Sequence, residues 1–566
     1  MSNYAIGLDF GTNSCRSLIV DVANGKELAS HVFPYPSGKD GVVVDSADPN
    51  LARQNPADYL AAIEITIKKA LGKAKSVRSK FSPQDVIGIG VDTTGSSPMP
   101  VDAQGRPLCF SKRFKKNPAA MVWLWKDHTS YAEAAQITDT AATMRPQYLA
   151  KIGGVYSSEW WWSKILHCKN SVPEVFQAAH SWAEICDWIP AVLTGELAPG
   201  TMKRSVCAAG HKAMFSKNWN GLPDTEFLEA LSPGLGALRG RLYDNACTAE
   251  EPAGHLSAEW ATKLGLSTQA VVAVGAFDAH MGAVGAGIST GTIVKILGTS
   301  TCDVMIWPHD RPLNDIPGVC GIVDGSVMKG YYGIEAGQSA VGDIFAWFVD
   351  NLVPEPYGKT QGEKFKNLET AAKKLKPGES GVLALDWNNG NRTILVDARL
   401  SGLLIGQTLH TQPHEIYRAL IEATAFGALT IIDRIEEYGV AITDVVNCGG
   451  LAAKSMLLMQ IYADVTGRPM KISRSDQTPA LGAAMFSAVA AGKRSGGYDS
   501  MEEAQKAMTG TGRAFSPIAA NHSVYKKLYA LYRQLHDGFG TKEWNGSMYN
   551  VMKELLAIRD DIRRMR

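Results

Sequence analysis

The sequence lacks cysteine pairs at metal or redox spacing. Its nine cysteines never come closer than the eighteen positions between Cys168 and Cys186 or between Cys302 and Cys320. That excludes C-x-x-C zinc and thiol–disulfide motifs, and the odd count argues against a secreted disulfide framework. An excess of one charge is missing too. Fifty-seven basic residues stand against 56 acidic ones, a formal charge of +1, so no global field draws in nucleic acid or an anionic membrane. Any anion must therefore be met by local groups. No apolar run approaches the roughly eighteen residues of a membrane span. The N-terminus enters a strand-like stretch, Tyr4 to Leu8, with no basic or cleavage region before it. By elimination the expected location is cytoplasmic.

What is present is a repeat. IGLDFGTNSCRSLIVD (Ile6 to Asp21) reappears as TIVKILGTSTCDVMI (Thr292 to Ile306), which aligns Gly11-Thr12 with Gly298-Thr299 and Cys15 with Cys302 at an offset of 287 residues. Half a chain of 566 residues is the spacing of a duplicated domain, not of a solenoid unit. Apolar runs on both sides of Gly-Thr-x-Ser/Thr read as two strands joined by a tight turn. Glycine there is expected to supply a positive φ and a close backbone approach, while successive N–H groups and small hydroxyls form an anion nest. Turn chemistry alone explains one Gly-Thr segment; the second copy at half-chain spacing argues for a shared phosphate grip. The residues of the grip are Gly11, Thr12, Asn13 and Ser14, with Gly298, Thr299 and Ser300.

The copies differ where Asp9 of the first meets Ile296 of the second. A carboxylate beside a phosphate nest is unfavourable without a cation between them, so Asp9 is the candidate magnesium ligand, directly or through water. A third glycine point, VVNCGGLAAKS (Val445 to Ser455), runs from a strand into a helix-like stretch. An α/β fold presents backbone to a nucleotide at such a point, which nominates Gly449, Gly450, Ala453 and Lys454. A plain strand–helix turn is the alternative for Gly-Gly alone.

Two phosphate hairpins and a late Gly-Gly loop resemble the superfamily shared by sugar kinases, actin and heat-shock chaperones. Within it the chain resembles the FGGY carbohydrate kinases, through LSGL (Leu400 to Leu403), EIYRALIE (Glu415 to Glu422) and SSEWWWSKILH (Ser157 to His167). The resemblance implies two duplicated actin/hexokinase-like (ribonuclease H-like) α/β domains with ATP and Mg2+ in the interdomain cleft. The expected division is 1–286 and 287–566, with the glycines of GAVGAGISTGT (Gly282 to Thr292) as a hinge. Alternating apolar runs and helical stretches agree with an α/β class. GVDTTGSSPMPVD (Gly90 to Asp102), LWKDH (Leu124 to His128), CAAGHKAMF (Cys207 to Phe215), EAGQSAVGDIFAWF (Glu335 to Phe348) and LALDWNNGNRTILVD (Leu383 to Asp397) point to the ketopentose branch of that family. The implied reaction is phosphorylation of a small-molecule sugar, L-ribulose, to the 5-phosphate. Kinases for D-ribulose, ribitol or xylulose remain open, and so does an actin- or chaperone-like ATPase.

The family's catalytic base carries over to Asp278, which ends the strand-like VVAVGAFD before a small-residue helix start. Phosphoryl transfer needs a carboxylate to accept the hydroxyl proton; a helix N-cap is the competing role. On the sugar side the family pocket begins at Gly95 and Ser96, where the absent side chain is expected to leave room, so that the sugar meets backbone there and the pocket takes a longer polyol. Trp125 is expected to stack on the sugar and Lys126 to reach a hydroxyl, with core packing the alternative for the tryptophan. Lys212 and Glu335 are expected to hydrogen-bond keto and hydroxyl oxygens, with a solvated surface charge as the alternative for each. The neighbouring His280 reads as a packing or hydrogen-bonding residue. Two amphipathic helices close the chain, and the ending RDDIRRMR is either a solvated tail or an oligomer contact, such as a homodimer.

Overall fold

Residues 3–565 are described in a computed structural model as two α/β lobes, each built on a seven-stranded mixed sheet. In the first lobe, β1 (Tyr4–Phe10), β2 (Ser14–Asp21) and β3 (Lys26–Pro34) form an antiparallel meander. Next to β1, and parallel to it, lies β4 (Val86–Thr93); β5 (Pro252–His255), β6 (Val271–Ala273) and β7 (Ala276–Phe277) complete the sheet. Seven of the eight residues of β4 are buried, as expected of a central parallel strand covered on both faces. Helix α1 (Pro56–Val77) covers one face through Tyr59, Ile63, Ile67 and Leu71; the Asn55 side chain caps it and Pro56 starts it.

The second lobe repeats the plan. β8 (Thr292–Leu297) and β9 (Thr301–Pro308) form the second hairpin, followed by β10 (Gly321–Asp324) and β11 (Tyr331–Ala336). β12 (Asp444–Cys448) lies parallel to β8, β13 (Met470–Ser473) parallel to β12, and β14 (Thr511–Phe515) closes the edge. In both sheets an antiparallel hairpin is followed by two parallel strands and an antiparallel edge, so the duplication read from the sequence extends to topology.

Four helices matter for the site. They are α2 (Val206–Lys212), α3 (Asp278–Gly285), α4 (Gly450–Lys454) and α5 (Thr478–Ala491). Helix α5, TPALGAAMFSAVAA, belongs to the second lobe but packs on β1 and β4 of the first and beside α3. Only small residues permit that approach: a Cβ on Gly7 would lie 1.8 Å from the Ala480 carbonyl oxygen, and one on Gly90 1.7 Å from that of Ala483. Of the glycines read as a hinge, Gly287 and Gly291 have φ of 85° and 81°. Gly285 instead serves close packing, 2.1 Å from the Thr478 carbonyl oxygen once a Cβ is added. The two C-terminal helices, α6 (Ala519–Gly540) and α7 (Val551–Arg564), bury Leu528, Leu531, Leu535, Val551 and Leu555 against the second lobe. Among the described residues no helix is long and apolar enough to cross a membrane.

Candidate active site

The two hairpin turns face the cleft between the lobes. Gly11 N–H donates to the Ser14 carbonyl and Gly298 N–H to the Ser300 carbonyl, each at 3.0 Å. The N–H groups of Thr12, Asn13, Thr299 and Ser300 have no acceptor among the described residues, which is the condition for an anion nest. Neither Gly11 nor Gly298 takes the positive φ expected of it, and a Cβ would meet nothing closer than 3.4 and 3.7 Å. Glycine serves there by leaving the space above the turn open, not by relieving backbone strain. The second turn is braced from behind: Val341 and Asp343 N–H groups donate to the Thr299 carbonyl and Gly342 N–H to that of Gly298. The first is braced by Gln54 Nε2 on the Thr12 carbonyl (2.6 Å) and by Trp125 Nε1 on Thr12 Oγ1 (3.0 Å). Gly449, at φ 92°, lets β12 turn into α4 close to Leu297, and Gly450, Ala453 and Lys454 lie exposed beside it.

Three carboxylates converge beyond the carboxyl ends of the first sheet. Parallel pairing sets Asp9 of β1 opposite Asp92 of β4, and β7 beside β4 delivers Asp278 as the first residue of α3. Asp92 is fully buried with both oxygens unpartnered. Burial, then the Asp9 and Asp278 charges, push its pKa well above the ordinary carboxylate range. Burial also raises Asp9, against the Arg16 guanidinium 3.5 Å away. Burial first and Asp9 second raise Asp278 to about 7, against a 2.7 Å hydrogen bond from the Ala279 N–H. The N-cap position of α3 belongs to Phe277, and the Asp278 carboxylate accepts from its immediate neighbour only.

Across the cleft, Lys212 at the end of α2 meets Glu335 of β11 at 2.9 Å. Both are buried, and the pair joins the lobes. His211 Nδ1 and His280 Nε2 lie 3.4 and 3.5 Å from the other Glu335 oxygen, and the two imidazoles touch at 3.1 Å. Burial would raise Glu335, but Lys212 and the imidazoles hold it well below the usual range. Burial lowers His280 to about 4 and pushes His211 down as well, so both rings are neutral. The donor atoms of His211, His280 and Glu335 fall within 4.8 Å of one another. A divalent ion among them would face the Lys212 ammonium, so the arrangement is a hydrogen-bonded network between lobes, not a metal cage.

One expectation on the sugar side fails on geometry, the open side-chain space at Gly95. The space of the missing side chain at Gly95 is taken by the Phe277 ring, which a Cβ there would meet at 1.8 Å from Cε1. Ser96 is buried with its hydroxyl donated to Glu184 and its carbonyl taken by Lys164 Nζ at 2.8 Å, while its N–H has no acceptor among the described residues. Lys126 is exposed, whereas Trp125 is half-buried and spends its N–H on the phosphate turn. Sequence reasoning missed Asp92, Glu184 and the depth of Lys164. Asp92 had a signal, since it ends a strand, VIGIGVD, as Asp9 nearly ends its own.

The sequence matches the model of the N-terminal domain of the FGGY family of carbohydrate kinases over residues 4–285, and that of the C-terminal domain over 293–491. It is 43% identical over 570 residues to a protein named ribulokinase from Shouchella clausii, covering 99% of this chain and 98% of that one. A ribulokinase from Geobacillus thermodenitrificans is likewise 43% identical over 564 residues, covering 98% and 96%. Among solved structures, a xylulose kinase from Rhodospirillum rubrum superposes with a TM-score of 0.76 at 22% identity, covering 95% of this chain and all of that one. A gluconate kinase from Lactobacillus acidophilus gives 0.76 at 18% identity, covering 96% and 99%.

Proposed function

This chain belongs to the FGGY family of carbohydrate kinases, and from that premise we propose that it transfers the γ-phosphoryl group of ATP to L-ribulose, the kinase step of L-arabinose catabolism in the cytoplasm. The observation that carries the reading is 43% identity, over 99% of the chain, to a protein named ribulokinase. The geometry supplies the chemistry. The triphosphate lies between the free N–H groups of Thr12–Asn13 and Thr299–Ser300, and adenosine rests on Gly449, Gly450, Ala453 and Lys454. Asp9, beside the first turn and raised by burial even with Arg16 at 3.5 Å, suits a magnesium ion held directly or through water. That ion, when bound, would neutralise phosphate charge.

Lys212 and Glu335 hold keto and hydroxyl oxygens of the sugar from opposite lobes, so sugar binding and lobe closure favour each other. The lobes divide near residue 286. Asp278, ionised above pH 7, takes the proton of the sugar hydroxyl as its oxygen bonds to phosphorus and the bond to ADP breaks.

A coupled ADP-release assay over L-ribulose, D-ribulose, D-xylulose, ribitol and glycerol tests the proposal. The highest kcat/KM is expected for L-ribulose, with modest discrimination among ketopentoses that differ only in hydroxyl orientation. Preference for D-xylulose or glycerol by about tenfold, a gap one repositioned hydroxyl contact can produce, would overturn it. Sugar-independent ATP turnover would point to an ATPase machine instead.

A further inference from the structure

The buried arginines of the described residues are paired. Arg53 bonds Asp127, Arg204 lies 3.4 Å from Asp187, and Arg418 lies 2.8 Å from Glu422. Arg392 makes no ion pair among the described residues. It is half-buried, yet its Nε is sealed from solvent with no acceptor. A guanidinium held in that state is costly unless an anion comes to it.

The fold goes to some length to place it. Arg392 Nη2 donates to the carbonyl of Thr301, the residue that follows the second phosphate turn. Gly337 makes the space, since a Cβ there would lie 2.5 Å from Arg392 Nη2 and 2.2 Å from the Thr301 oxygen. Thr393 Oγ1 accepts from Gly337 N–H at 2.9 Å, and Ile394 N–H donates to the Gly318 carbonyl at 2.9 Å. The same loop holds Ile394 at φ 89° and Val396 at φ 51°. β-Branched residues rarely adopt such angles, and backbone held there gathers at ligand clamps. The carboxylates whose field reaches Arg392 are Glu159 of the first lobe and Glu335 of the sugar site. Arg392 thus stands at the second phosphate turn, within the field of Glu335.

The turns themselves bring no free cation. Arg16 faces Asp9 at 3.5 Å, and Lys295 is buried against Asp303. A transferring phosphoryl group spreads charge over three equatorial oxygens and needs a donor for them. Resting on the kinase reading above, we propose that Arg392 is a catalytic residue that holds the nonbridging oxygens of the phosphoryl group during transfer and stays on it in the sugar phosphate. The sugar oxygen bonds to phosphorus, the bond to ADP breaks with its electron pair leaving on ADP, and Asp278 takes the proton. Arg392 keeps all of its own protons throughout.

The test uses the full chain with Arg392→Gln and Arg392→Lys. The assay measures kcat with L-ribulose, melting temperature, and calorimetric affinity for L-ribulose and for L-ribulose 5-phosphate separately. Arg392→Gln is expected to lower kcat by about 10²–10³-fold, the loss typical of one transition-state donor. Its affinity for the sugar should stay within about threefold while that for the sugar phosphate falls at least about tenfold, as loss of a charge-assisted phosphate contact requires. Arg392→Lys, which keeps the charge but not the fork, should lose at least about tenfold in kcat at an unchanged melting temperature. Arg392→Gln within about tenfold of wild-type kcat, or an equal loss of affinity for sugar and sugar phosphate, refutes the role. Should the glutamine variant fail to fold, a fully active Arg392→Lys refutes it as well. A wild-type enzyme that phosphorylates no sugar would sink the kinase reading itself, a separate outcome.

Discussion

Replacing Asp278 by asparagine separates a proton acceptor from a helix-capping residue. The carboxyl sits at about 7, raised by burial and by Asp9. If its ionised form is the base, kcat/KM rises through pH 7 and then levels, and about tenfold is lost per pH unit below 6. Asp278→Asn should cut kcat by about 10²–10⁴-fold and abolish that acid limb, while ATP affinity holds. Stability should move the other way. A folded-state pKa raised above the unfolded 3.8 means that the native state binds more protons between the two values, so wild-type stability falls as pH rises through that window. The shift of about three units caps the effect near 4 kcal/mol, so Asp278→Asn should melt higher than wild type at pH 8, the gap closing toward pH 4. Asp9→Asn removes the second cause of the shift, and should slide the remaining acid limb to lower pH even as it slows the enzyme. If Asp278 only caps a helix, asparagine serves nearly as well and alanine alone hurts, by about 0.5–2 kcal/mol. Initial rates from pH 5 to 9, calorimetry with ATP and melting curves for Asp278→Asn and Asp278→Ala decide. An asparagine variant within about tenfold of wild-type kcat, less than removal of an acid–base group costs, refutes the reasoning.

Gly298→Val or Gly11→Val should abolish ATP binding by calorimetry without a large change in melting temperature, because both sites are open and neither backbone is left-handed; unchanged ATP affinity in both variants removes the two-turn grip. Lys212→Met strands buried Glu335 and should cost about 3–5 kcal/mol, read as a lower melting temperature. The double variant with Glu335→Gln should regain much of that stability but not the affinity for L-ribulose; recovery of sugar binding would show that the pair only holds the lobes together.

The parts of this enzyme visible in sequence were those whose physics is local. A Gly-Thr turn between apolar runs carries its meaning in a few consecutive residues, and its recurrence 287 positions later exposed the duplication. Asp278 could be placed because its strand end and helix start adjoin it. The rest depends on what arrives from elsewhere. Lys212 and Glu335 lie 123 positions apart, and each alone reads as a solvated charge; only the closed cleft turns them into a buried pair. Gly95 was misread because a missing side chain does not say what fills its space, and here Phe277 does. Asp92 looks like the end of any strand until parallel pairing sets it beside Asp9. Arg392 is the extreme case, since its significance lies in a partner it lacks, a property no stretch of sequence can display. Residues that bind transiently charged groups share this trait: their charge is left uncompensated in the resting protein so that substrate can compensate it. Such sites are found by asking which buried charges the fold has declined to pair.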